Sequence, residues 1–130
     1  MSAVLVEEAV PAAKPRAAAA VALLGTGVVG GAFLKLLNTP AAGPLRLVAA
    51  ANSRRQETVP ARLAARNLRE QLRDSGAPRD DDALLAALDA SGAAARLIVD
   101  ATASAALAGR HAEWLARGYH VVTANKALAG

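Results

Sequence analysis

Three glycines spaced as Gly-x-Gly-x-x-Gly, at Gly25, Gly27 and Gly30, interrupt an apolar run that begins at Ala19. A backbone needs that order to leave a buried strand, turn tightly and enter a helix whose N–H groups face a pyrophosphate. Gly25 supplies the turn, Gly27 with Thr26 leaves room for phosphate, and Gly30 lets the helix press on its strand. Beyond them, Ala32, Phe33, Leu36 and Leu37 recur at helical spacing. That context matches a dinucleotide fingerprint; the competing reading is a glycine-rich turn with no ligand.

Two further segments bear on the same chemistry. Asn52-Ser53-Arg54-Arg55 follows a second apolar run and carries no acid where a site selective for free ribose hydroxyls places one. The next carboxylate is Glu57. Arg54 and Arg55 offer a planar cation to a 2′-phosphate, and Asn52 and Ser53 add neutral hydrogen-bonding groups, so NADP is the expected cofactor and NAD the alternative; the competing reading is a pair of solvated loop arginines. Asp100-Ala-Thr102-Ala103-Ser104 closes a third apolar run with small, hydroxylated residues that let a nicotinamide ribose lie close to the backbone. Asp100 itself is expected to be structural, capping the next helix or pairing within the sheet. A fourth run is followed by Asn125 and Lys126; a lysine just past that strand could orient a carbonyl substrate or pass a proton to an alkoxide, and the competing reading is a surface lysine. His111 and His120 lack a carboxylate or second histidine at ligand spacing, which argues against a metal. His111 is expected on a helix away from the site, and Trp114 is expected to be a packing residue.

The elements that must position these loops follow from periodicity. Strands are expected near 18–24, 45–51, 97–101 and 119–123, and helices near 28–38, 60–73 and 105–117. A shorter helix should start at Asp80–Asp82, whose acids suit the positive end of the helix dipole, and run through Leu88. Alternating strands and helices imply parallel strands with right-handed crossovers, hence one α/β domain with a doubly wound, Rossmann-type parallel sheet. All four loops then emerge at the carboxyl edge, where such sheets bind ligands. Residues 1–16, rich in alanine and proline, read as a flexible leader ahead of a dinucleotide-binding domain over 17–130.

Composition excludes several classes. Only 2% of the 130 residues are aromatic, so the core must be built from small aliphatic groups and base-stacking partners are nearly missing. The net charge of +4 comes mostly from arginines interleaved with acids, the pattern of solvated helix faces rather than of a nucleic-acid stripe. Cysteine is missing altogether, which permits a reducing cytoplasm. Glu7 and Glu8 sit where a signal peptide needs basic residues, and no apolar run is long enough for a membrane span.

Taken together, Leu24-Gly-Thr-Gly-Val-Val-Gly-Gly31, Ala51-Asn-Ser-Arg54, Ile98-Val-Asp-Ala-Thr-Ala-Ser104 and Gly118-Tyr-His-Val-Val-Thr-Ala-Asn-Lys126 resemble the nucleotide-binding domain of homoserine dehydrogenases. The Thr-Ala-Asn-Lys segment is the specific part. The resemblance implies reduction of L-aspartate 4-semialdehyde to L-homoserine with NAD(P)H, a step toward threonine, methionine and isoleucine. It also implies cofactor contacts at Val28, Val29, Thr102 and Ser104, and catalysis by Lys126. Family members continue beyond this lysine into a substrate-binding and dimerisation region, whereas this sequence stops at Gly130. The expectation is therefore a cofactor domain inactive alone, with homo-oligomers formed only by the complete protein. Two other readings stay open: the cofactor domain of another amino-acid oxidoreductase, such as an aspartate dehydrogenase or dihydrodipicolinate reductase, and a non-catalytic nucleotide sensor.

Overall fold

A computed structural model describes residues 19–64 and 67–125. The leader expected over 1–16 and Lys126 lie outside these residues. Strand β1 (Ala19–Leu24) is buried along its whole length and runs at the centre of the sheet. Helix α1 (Val28–Leu37) returns the chain to β2 (Leu45–Ala51), which pairs with β1 in parallel. On the other flank of β1 lie β5 (Ala95–Asp100) and then β6 (His120–Thr123), both parallel. Leu24 pairs with both Ala51 and Asp100, and Asp100 with Thr123, so four strands end at one level and their loops share one edge.

The α/β, doubly wound expectation holds, with one correction: the sheet is not wholly parallel. β3 (Arg55–Glu57) and β4 (Ala77–Pro78) extend it antiparallel beyond β2, giving the order β4-β3-β2-β1-β5-β6. Two helices expected to be continuous are each broken. In place of one helix over 60–73 stand α2 (Pro60–Leu63) and α3 (Leu68–Ser75). Leu63, Leu68 and Leu72 share one buried cluster with Ala50, yet on one unbroken helix Leu63 and Leu68 would point well apart. The break brings both onto the sheet. The helix expected over 105–117 is likewise split into α5 (Ala105–Ala108) and α6 (His111–Ala116). The Arg110 N–H there donates to Leu107, three residues back, in a tightened turn.

Small strand residues demand large helix residues opposite them. Ala20, Ala22, Ala49 and Ala51 meet Leu84, Leu85 and Leu88 of α4 (Asp81–Ala90), together with Trp114 and Tyr119. On the opposite face, Val21, Leu23 and Val99 meet Phe33 and Leu34 of α1. Trp114 is a packing residue, as expected, and its buried indole N–H has no partner among the described residues. Asp80 caps α4, its carboxylate accepting from the N–H groups of Asp82 and Ala83. Gly118, at φ +93°, ends α6 and turns the chain toward β6. No helix among the described residues is long and apolar enough to cross a membrane.

Candidate functional site

The glycine turn is set by close approach. Gly25 adopts φ +98°, and a Cβ on it would lie 2.8 Å from the Ala101 carbonyl oxygen at the end of β5. A Cβ on Gly30 would overlap the Gly25 carbonyl, so the helix sits directly against its own loop. Around Gly27 the opposite holds: nothing lies within 4 Å of where its Cβ would stand. Gly27 is the N-cap of α1, no side chain caps the helix, and its first turn carries no acid. Its leading N–H groups therefore face an open, positively polarised cleft, the complement of a pyrophosphate. Val28, 90% exposed, and Val29 stand bare at this mouth, beside Thr26. These features fit a dinucleotide.

On the β2 side, the Asn52 side-chain oxygen accepts from the N–H groups of Arg54 (2.8 Å) and Arg55 (2.7 Å), folding the segment into an Asx turn. That leaves Ser53 and Arg54 exposed at its tip. The expectation of two arginines facing a 2′-phosphate is corrected to one, because Arg55 is engaged elsewhere. Arg55 donates to the Gly76 carbonyl at 2.7 Å, whereas the Arg54 guanidinium has no partner among the described residues. Glu57 is buried and accepts from the N–H groups of Thr58 and Val59, so no acid competes at the turn.

A groove of about 1450 Å³ joins Gly25, Gly27, Asn52, Ser53 and Thr102, and continues between α1 and α3. Arg69 of α3 reaches into it, its guanidinium 3.9 Å from where a Cβ on Gly31 would stand. The pattern of α3 places Arg69 among solvated residues and carries no signal for this approach.

At the β5 end the hub is Asp100, fully buried. It accepts from the Thr102 N–H (3.0 Å), the Thr102 hydroxyl (2.6 Å), the Asn125 amide (3.0 Å) and His111 Nε2 (2.7 Å). Burial pushes its pKa up, but the hydrogen bonds from Thr102, Asn125 and His111 outweigh this and hold the carboxyl below its ordinary value. An ionised carboxylate needs donors, so Nε2 of His111 carries hydrogen. Two expectations change. Asp100 is structural, but Ser104 rather than Asp100 caps α5, accepting from the Leu107 N–H. His111 does not lie away from the site; its ring grips the carboxylate beneath it.

Asn125 is also buried, its amide spanning Asp100 and the Ser104 carbonyl. Thus Thr102 and Asn125 direct donors inward, Ala103 is exposed at the loop surface, and the two loops are locked together. Among the described residues, no group of three or more His, Cys, Asp or Glu side chains could hold a metal.

Comparison with known proteins agrees with this geometry. The family model described as "Homoserine dehydrogenase, NAD binding domain" matches residues 25–129. Among curated proteins no sequence matches significantly. A crystal structure of a protein of unknown function from Candida auris superposes with a TM-score of 0.62 at 26% identity, over 83% of this chain and 30% of that one. A homoserine dehydrogenase from Thermoplasma acidophilum gives a TM-score of 0.59 at 22% identity, over 83% of this chain and 35% of that one, a likeness of fold. The chain spans about a third of the length of the solved structures it matches. With the family model matching well over half of the chain, from the glycine turn onward, the chain belongs to the family of homoserine dehydrogenase NAD-binding domains.

Proposed function

We propose that this domain binds NADP(H) along the carboxyl edge of its sheet, in a protein that interconverts L-aspartate 4-semialdehyde and L-homoserine. The observation that carries this reading is the uncapped α1 mouth, with open space at Gly27, together with the Asn52–Arg55 turn, whose Arg54 guanidinium has no partner among the described residues. The α1 N–H groups would hold the pyrophosphate, with Arg69 near. Arg54 would meet the 2′-phosphate through its planar fork, flanked by Asn52 and Ser53. Thr102, Ala103 and Ser104 would border the nicotinamide ribose. When bound, the reduced cofactor supplies a hydride to the aldehyde carbon. Lys126, next in the chain to Asn125, would polarise the aldehyde and give its proton to the oxygen that becomes the hydroxyl. The complete protein is taken to be a cytoplasmic homo-oligomer.

Isothermal titration of the chain with NADP⁺ and NAD⁺ tests the reading. We expect NADP⁺ to bind more tightly, with a preference that shrinks as salt screens the phosphate. Tighter binding of NAD⁺ overturns the role of Arg54, and binding of neither overturns the site.

A further inference from the structure

Arg79, between β4 and α4, reaches back to the turn that carries Arg54. Its guanidinium donates to the Asn52 carbonyl at 2.7 Å, and its own N–H donates to the Arg54 carbonyl at 3.0 Å. The two contacts lie at the two ends of the Asx turn. Arg79 is in turn anchored: its Nε donates to one oxygen of Asp81 at 2.9 Å, and Arg110 donates to the other at 2.7 Å. Arg110 sits in the tightened turn before His111, which grips Asp100. A chain of charge-assisted contacts thus ties the β2 loop to the break between α5 and α6. The charged side chains of Arg79, Asp81 and Arg110 are all less than one-third exposed, where such bonds are screened less than at the open surface.

We propose that Arg79, braced by Asp81 and Arg110, is a specificity-determining positioning residue: it holds the Arg54 turn in the conformation that meets a 2′-phosphorylated ribose, without touching the phosphate. This rests on the reading of Arg54 in the proposed function. The Arg79 fork is already directed at the turn's backbone and at Asp81, so it is turned from the tip. Arg54, exposed and with its guanidinium unpartnered among the described residues, gains two-point contact with a phosphate only if its backbone is held in place. Loss of the brace should then cost the phosphate's share of affinity more than the share common to both cofactors.

The test is titration of the full chain with NADP⁺ and NAD⁺ for the wild type, Arg54→Ala, Arg79→Met, Asp81→Asn and the Arg54→Ala/Arg79→Met double variant. Asp81→Asn keeps Arg79 and covers the case in which Arg79→Met fails to fold. Arg79→Met and Asp81→Asn should each lower the NADP⁺ to NAD⁺ affinity ratio, Arg79→Met by about tenfold, the loss of one charge-assisted hydrogen bond. The double variant should show the ratio of Arg54→Ala alone, because both changes act through one contact. Equal weakening of both cofactors by Arg79→Met, or a double variant lower in ratio than Arg54→Ala, overturns the proposal. A ratio lowered by Arg54→Ala but unmoved by Arg79→Met and Asp81→Asn sinks the brace alone. A ratio unmoved by Arg54→Ala sinks the assignment of Arg54, and the brace with it.

Discussion

Gly27, the N-cap of α1, and Gly30, in its first turn, stand three residues apart, and their surroundings are opposite. A Cβ at Gly30 has nowhere to go, since the Gly25 carbonyl occupies its place, while a Cβ at Gly27 enters open space. Gly30→Ala should therefore destabilise the chain by about 2 kcal/mol through forced backbone movement. Gly27→Ala should leave the melting temperature nearly unchanged and still weaken NADP⁺ binding, because its methyl group would intrude where the pyrophosphate is proposed to lie. Paired thermal melts and titrations check both, and a Gly27→Ala variant with wild-type affinity would contradict the site. The glycine turn and the Asn52–Arg55 loop were legible because their geometry depends on neighbours close in sequence. His111 on Asp100 spans 11 residues and Asn125 on Asp100 spans 25, and no local spacing encodes such meetings. Arg69 and Arg79 stayed hidden for the same reason.

Among elements, α4 shows most plainly how local chemistry sets a boundary. Asp80 caps it with two backbone hydrogen bonds, and Asp81 and Asp82 follow in the first turn. Asp80→Ala should cost about 1 kcal/mol, measurable by urea denaturation; no change would mean the Asp80 carboxylate contributes nothing as a cap. That helix, the four parallel strands and α1 were readable, since apolar runs and breakers agree with the packing. The broken helices were not. Their polar and apolar residues alternate well enough for a continuous helix, and only the need to seat Leu63 with Leu68, or His111 on Asp100, interrupts them. β3 and β4 were invisible because Arg55-Gln-Glu57 and Ala77-Pro78 carry no apolar alternation. Their pairing is a tertiary event.

For the molecule as a whole, the acid end of the stability curve belongs in part to Asp100. Its folded-state pKa is lowered, so the stability it contributes is complete above the unfolded carboxylate value of about 4 and is lost as pH falls through the lower folded value. Asp100→Asn should lower neutral-pH stability by about 2–4 kcal/mol, since an amide cannot accept from every donor around it. The same variant should flatten the acid limb of a melting-temperature profile. An acid limb as steep as that of the wild type would assign the loss to other carboxylates.

The sheet's two borders differ in what they can recruit. Pro78 in β4 lacks an amide hydrogen, and the strand is only two residues long, so that border offers little template to a passing backbone. β6 borders the sheet on the other side with four residues in register and Val122 half uncovered. Growth of the sheet would thereby have a direction: a newcomer would find its template beside Thr123, at the end where hydride chemistry is proposed, and little of one at the two-residue border beyond the turn proposed to meet the ribose.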